Sequence, residues 1–190
     1  MIGAIVLAAG SSSRMGRAKA HRPAGPNGRS FVDPITETLA GAGVATVRVV
    51  VAPGLPQPPR QAVVNPDPSA GMLSSVQCGL RAFQEELAAV FVWPVDHPLV
   101  ERDTVVAMIA AFQRTGAPVV VPTNDGRRGH PVLFAARVFS ELLAADPSHG
   151  ARSVVHSHDN RLELPVADGG VVVDIDTPED YARVFGAVAP

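Results

Sequence analysis

Ile2-Gly3-Ala4-Ile5-Val6-Leu7-Ala8, running into Ala9-Gly10-Ser11-Ser12-Ser13-Arg14-Met15-Gly16-Arg17-Ala18-Lys19, is the stretch that decides the fold. Its first half is an unbroken apolar run rich in branched side chains, which suits a strand covered on both faces, and such strands belong to parallel sheets flanked by helices. Similar runs lie at residues 47–52, 89–94, 117–122 and 171–175, with shorter candidates at 63–64, 131–134 and 162–166. Helical patterns fall between them. Asp33-Pro34 reads as a cap followed by a proline that can start a helix, which then runs to Gly41. Met72, Val76, Leu80, Phe83 and Leu87 recur at intervals of three and four, as do Val105, Met108, Ile109 and Phe112 before a stop at Gly116. Thr177-Pro178-Glu179-Asp180 opens a last helix with a hydroxyl cap and acids in its first turn. The alternation predicts one α/β domain over residues 1–190, three-layer α/β/α with a mostly parallel sheet, and places ligands at the carboxyl ends of the strands. Residues 52–59 carry four prolines, so a loop rather than a helix is expected between the second and third strands.

Composition narrows the function. Hydrophobic residues make up 46% of the 190, enough for a sizeable core and too many for a disordered chain. A formal charge of −2 argues against a general nucleic-acid or membrane-surface binder, each of which needs a basic excess. Cys78 is the single cysteine, so neither an intramolecular disulfide nor a thiolate metal cluster can form, and a cytoplasmic location fits. The apolar start has no basic leader and breaks at Gly10, well short of the roughly 20 residues of a membrane span.

Any anion site must therefore be local, and residues 10–19 have the composition of one. Small residues let the backbone bend round a ligand and aim N–H groups at it, while Arg14, Arg17 and Lys19 supply positive charge. Lys19 is the only lysine in the chain. The dinucleotide-binding glycine pattern fails because Ser12 holds its third position, and the P-loop fails because Lys19 lies three residues beyond Gly16. Asp96 follows a buried run, where a carboxylate is costly unless it is exposed or bound to a cation, so a magnesium ligand fits there. His156-Ser157-His158-Asp159 reads as a polar surface loop, His97 as an orienting neighbour of Asp96 or a solvent-facing side chain, and Cys78 and the Met72 to Leu87 stripe as core packing.

Leu7-Ala8-Ala9-Gly10 with Ser13-Arg14-Met15-Gly16 and Lys19 resembles the LAAGxSxRMGxxK signature of the MobA-like nucleotidyltransferases, which have Rossmann-like GT-A domains. The resemblance extends along nearly the whole chain. Asn65-Pro66, Gly71-Met72 and Ser75 look like the family's nucleotide-binding segment, Pro94-Val95-Asp96-His97-Pro98 like its metal-binding strand end, Gly129-His130-Pro131 like its acceptor loop, and residues 174–180 like its second acidic motif.

The resemblance implies a Mg²⁺-dependent nucleotidyltransferase in which an acceptor phosphate attacks the α-phosphorus of an NTP and pyrophosphate leaves. It implies nucleotide contacts from Leu7, Ala8, Ala9, Gly10, Ser11, Ser12, Ser13, Arg14, Lys19, Asn65, Gly71, Ser75 and Asp96, with Arg14, Lys19 and Asp96 catalytic. Asp96 and Asp176 would hold the metal, with Asp174 in reserve, and Gly129, His130 and Pro131 would face the acceptor, unless His130 only shapes its turn. The Ala8-Ala9-Gly10 form looks like the cytidylyl branch, so CTP and molybdenum cofactor are the expected substrates, with a molybdoenzyme or its chaperone as a further partner. Guanylyl, sugar-phosphate or phospholactate transfer, and a non-catalytic cofactor-delivery protein, are the alternatives. The proline-rich 53–59 segment and the insertion at 22–29 depart from the family pattern and bear on the acceptor and base pocket.

Overall fold

A computed structural model describes residues 1–10, 30–54, 59, 62–177, 179–180 and 183. The anion-loop residues Ser11, Ser12, Ser13, Arg14 and Lys19, the 22–29 insertion and most of the proline-rich segment lie outside the described residues.

The described strands are β1 (Ile2–Ala8), β2 (Thr46–Val51), β3 (Ala62–Val64), β4 (Ala89–Pro94), β5 (Val119–Asn124), β6 (Arg127–Arg128), β7 (Val132–Ala135) and β8 (Leu162–Pro165). They form one sheet in the order β3-β2-β1-β4-β7-β5-β6, with β8 paired to β5. β3, β2, β1 and β4 are mutually parallel, β7 runs against β4 and β5, and β8 runs parallel to β5. The sheet is therefore mixed but mostly parallel. Alternate residues of β1 face opposite layers: Ala4, Val6 and Ala8 pack in a core with α1 (Val32–Gly41) and α3 (Arg102–Thr115). Ile5, Leu7 and Ala9 pack in a second core with α2 (Met72–Arg81), α4 (Phe139–Ala144) and α5 (Gly150–Ser157). This is the expected three-layer arrangement. No described helix is long and apolar enough to cross a membrane.

Several sequence expectations need correction. α1 starts at Val32, so Asp33 sits inside the first turn and reaches back to accept the Ser30 N–H at 2.8 Å. α2 stops at Arg81, where the guanidinium of Arg48 bonds to the Ala82 carbonyl. Phe83 and Leu87 nevertheless pack on β1, against the face that Gly3 leaves open. Met72, expected in the core, is 56% exposed. His156 and Ser157 close α5 instead of lying in a loop, and His158 pairs with Glu141 at 3.0 Å.

The largest departure is at residues 171–175, which are not a strand. Instead of pairing along a strand, the segment bonds to loops at the end of the sheet, Val171 O accepting the His130 N–H and the Ile175 N–H donating to Asp96 O. It enters as a 3-10 turn (Gly169–Val172) and inserts Val171 and Ile175, both fully buried, into the core as plugs.

Candidate active site

The chain leaves β1 to build β2 and β3 on one side, then returns to the other side of β1 as β4. The reversal opens a crevice between the carboxyl ends of β1 and β4, the place where open α/β sheets take ligands. Pairing of Leu7 with Pro94 brings Gly10 and Asp96 to the same rim. The turn that carries Asp96 is held from four directions. The Val95 N–H donates to Leu7 O (3.1 Å), the His97 N–H to Pro94 O (3.2 Å) and the Ile175 N–H to Asp96 O (2.8 Å). The indole N–H of Trp93, a fully buried residue, donates to His97 O at 2.9 Å.

The Ile175 bond ties the C-terminal segment to the end of β4 and so delivers Asp176 beside Asp96. A cleft of about 260 Å³ is lined by both aspartates together with Leu7, Ala9, Gly10 and Ser75. Asp174 is exposed and is not part of that lining, so the geometry favours Asp176 of the two candidates. Beyond Asp176, the Thr177 hydroxyl and the Asp180 carboxylate cap one another reciprocally. The Thr177 Oγ1 accepts the Asp180 N–H, the Asp180 carboxylate accepts the Thr177 N–H, and the Thr177 hydroxyl bond holds the Asp180 carboxyl below its usual range.

The segment expected to touch nucleotide is resolved into wall and support. Asn65 is buried, its amide donates to Ser74 Oγ (2.8 Å) and Ser75 Oγ (2.9 Å), and its carbonyl accepts the Asp67 N–H (3.0 Å). With those bonds made, its structural part is to fix Ser75, which lines the cleft. Gly71, at φ 109°, occupies a conformation that side chains rarely adopt, and an added Cβ would lie 2.7 Å from the Pro147 carbonyl oxygen. Ala8 is buried among the α1-side core residues and does not line the cleft.

A second cavity, about 520 Å³, opens on the α5 side of the sheet. Gly129 and His130 line it; Pro131, joined to His130 by a cis peptide bond, does not. Gly129 packs so closely on the 169–172 turn that a Cβ would come within 2.2 Å of Val171 O, and the His130 N–H donates to that same oxygen at 2.8 Å. The His130 ring lies 4.7 Å from that of His97, centroid to centroid, linking this loop to the Asp96 turn. Burial, with the charge of His97 adding to it, pushes the His130 imidazole from 6.5 down to about 4, so it is neutral at physiological pH. Met72 borders both cavities.

Sequence reasoning missed three residues of this scaffold: Trp93, Gln77 and Asp168. Gln77 is buried and donates to the carbonyls of Leu142 and Ala145, tying α2 to α4. Asp168 is buried at the α3 terminus, where it accepts from Glu101 N, Thr104 Oγ1 and Gly170 N, each at 2.8 Å. A buried polar residue needs partners from distant elements, and a single sequence carries no sign of where those lie.

A carboxylate-rimmed crevice at the reversal point of a mostly parallel sheet marks the ligand site of a doubly wound α/β fold. The fold matches several solved structures. Rv0371c from Mycobacterium tuberculosis H37Rv superposes with a TM-score of 0.80 at 23% identity, covering 98% of this chain and 97% of that one. A manganese complex of Rv0371c gives 0.77 at 25% identity, covering 98% and 99%. A molybdopterin-guanine dinucleotide biosynthesis protein A from Archaeoglobus fulgidus gives 0.70 at 16%, covering 98% and 97%. A family model for the MobA-like NTP transferase domain matches residues 4–162, and the chain belongs to that family. It is a nucleotidyltransferase. Relatives named "Probable molybdenum cofactor guanylyltransferase" include one from Mycobacterium avium, 33% identical over 79% of this chain and 77% of its own length. Another, from Mycobacterium marinum, is 30% identical over 93% and 89%.

Proposed function

We propose that this protein transfers GMP from GTP to the phosphate of a molybdenum-cofactor-type acceptor, with release of pyrophosphate. The observation that carries the reading is the convergence of Gly10, Asp96 and Asp176 on one cleft at the ends of β1 and β4. Two carboxylates from separate elements suit a hard divalent cation that takes its remaining ligands from phosphates and water. Mg²⁺ is our choice, and the manganese in the Rv0371c complex supports a divalent ion of this kind. When bound, the ion would neutralise phosphate charge as the leaving group departs.

The chain's own residues supply the rest. A phosphate monoester has its second pKa near 6, so the nucleophile arrives ionised and no general base is required. Lys19 and Arg14 balance the triphosphate, the backbone N–H groups of residues 10–13 cradle it, and Ser75 with Ala9 walls the cleft. Gly129, His130 and Pro131 belong to the acceptor side.

The CTP preference expected from Ala9 is not retained, because the relatives are named guanylyltransferases. The position of Ala9 explains why its methyl group is a poor guide to the base. It is 3% exposed and packs with the α2-side core, so little of it faces a ligand. The deciding experiment is pyrophosphate release with molybdenum cofactor as acceptor, Mg²⁺ or Mn²⁺, and each of GTP, CTP, ATP and UTP in turn. GTP is expected to give the highest kcat/KM. Preference for another nucleotide would overturn the guanylyl assignment, and no release with any would overturn the transfer reaction.

A further inference from the structure

The cavity on the α5 side has an apolar floor and a basic rim. Val92, Val121, Val132 and Phe134 rise from the sheet beneath it, while Arg128, Arg152 and His156 stand at its edge. The two arginines are not equivalent. Arg128 is engaged by Glu163, its Nε donating to Oε1 at 2.9 Å, a carboxylate that also accepts from Arg161. Among the described residues no carboxylate pairs with Arg152. Its Nε instead donates to His156 Nε2 at 3.3 Å, one helical turn along α5. That bond occupies one donor of a five-donor guanidinium and leaves the terminal nitrogens to a ligand. Both side chains are exposed, on a helix whose Val154 is anchored in the core.

We propose that Arg152, oriented by His156, determines acceptor specificity by gripping the end of the acceptor farthest from the reacting phosphate; this rests on the nucleotidyl-transfer reading above. That phosphate has to reach the Asp96 cleft, and Met72 borders both cavities, so one molecule lying across Met72 spans them. Its body then covers the apolar floor and its far end meets α5. An arginine fork recognises a planar edge bearing two hydrogen-bond acceptors, such as a ring carbonyl beside a ring nitrogen or a carboxylate. The substrate class is thus a phosphate monoester on a flat, largely apolar body whose opposite edge is rich in acceptor atoms. A phosphorylated acceptor with no such edge, a simple sugar phosphate for instance, leaves Arg152 unmatched and is disfavoured. His156 is the positioning residue and Arg152 the contact.

The test varies molybdenum cofactor at saturating GTP and Mg²⁺ for wild type, Arg152→Ala, Arg152→Lys and His156→Ala. Removing a charge-assisted hydrogen bond at a partly covered site is expected to raise the acceptor KM about 10- to 100-fold in Arg152→Ala. Arg152→Lys should restore less than half of the loss on a logarithmic scale, because a point charge cannot replace a fork, and His156→Ala should give a smaller rise. The thermal shift given by GTP and Mg²⁺ without acceptor should stay at the wild-type value in all three. An unchanged acceptor KM in Arg152→Ala, with wild type active, overturns the role of Arg152 and leaves the transfer reaction standing. Full rescue by Arg152→Lys overturns the planar-edge recognition. A wild type that releases no pyrophosphate overturns the parent reading and this one together.

Discussion

Asp96 and Asp176 stand 80 positions apart in sequence and meet where the docked C-terminal segment bonds to the end of β4, the Ile175 N–H donating to Asp96 O. If both serve one cation, Asp96→Asn and Asp176→Asn should each lower turnover by about 10²-fold or more. The double variant should lose far less than the product of the two, because the site is already broken by either change. Strictly multiplicative losses, or an unchanged metal requirement in Asp176→Asn, would separate their roles. Lys19→Met is expected to cut turnover by about 10²-fold in a protein that still unfolds cooperatively at the wild-type temperature. His130 gives a prediction of a different kind. Its folded pKa of about 4 lies below the ordinary histidine value of 6.5, so between these two values the unfolded chain binds the extra proton and the folded one does not. Stability should therefore fall as pH drops from about 6.5 to about 4 and then stop responding to this residue, the full loss being up to about 3 kcal/mol. Denaturant titrations of wild type and His130→Asn across that range should differ in slope; parallel curves would mean that the imidazole is not desolvated.

At the scale of elements, the least conspicuous aspartate carries a large structural burden. Asp168 accepts three hydrogen bonds, two of them from the first turn of α3, and joins that helix to the turn on which Gly129 packs. Asp168→Ala leaves three donors without their acceptor, and a loss of about 2 to 4 kcal/mol is expected. For a chain of this size that is a drop in melting temperature of about 4 to 16 °C. A change of less than a degree would show that water replaces the carboxylate. Elements of this sort mark where sequence reading stops. β1, β4 and α3 were legible because each is self-declaring: an unbroken branched run for the strands, and for α3 a three-and-four stripe ended by Gly116 in the left-handed region. Residues 171–175 have the same apolar composition as a strand, yet Val171 and Ile175 are buried as plugs and their backbone groups bond to His130 and Asp96, partners that lie far away in the chain. Met72 fits the stripe of α2 but sits at the helix start, past the sheet edge, where the stripe no longer faces the core. Likewise Asp96 was legible as a strand-end carboxylate, whereas Asp176 follows a run that is not a strand, and the three internal bonds of Asn65 could not be read from one sequence.

At the scale of the whole molecule, the site is closed by segments from opposite ends of the chain, and this couples ligand binding to folding of the C-terminal part. Gly10 and Asp96 follow β1 and β4 and rest on a continuous parallel ladder. Asp176 rests on residues 166–177, which join the sheet through Val166 N–H to Thr123 O, Val171 O to His130 N–H, and Ile175 N–H to Asp96 O. A nucleotide and metal that engage both aspartates bind only when this segment is docked, so they stabilise the docked state by RT ln(1 + [L]/Kd), about 2.7 kcal/mol at a hundred times Kd. The amide of Ile175 reports that docking directly, because it is buried against Asp96 O and exchanges only when the segment opens. GTP with Mg²⁺ at that excess should therefore slow exchange at Ile175 by about 100-fold if the opening is local, while amides of β1, which exchange only on deeper opening, gain no more than the global stabilisation. Asp176→Asn should bind nucleotide through the anion loop alone and lose most of the slowing at Ile175. Equal protection in Asp176→Asn and wild type, measured by hydrogen exchange with peptide-level mass analysis at matched saturation, would mean that the C-terminal segment is a passive prop and that the metal is held without Asp176.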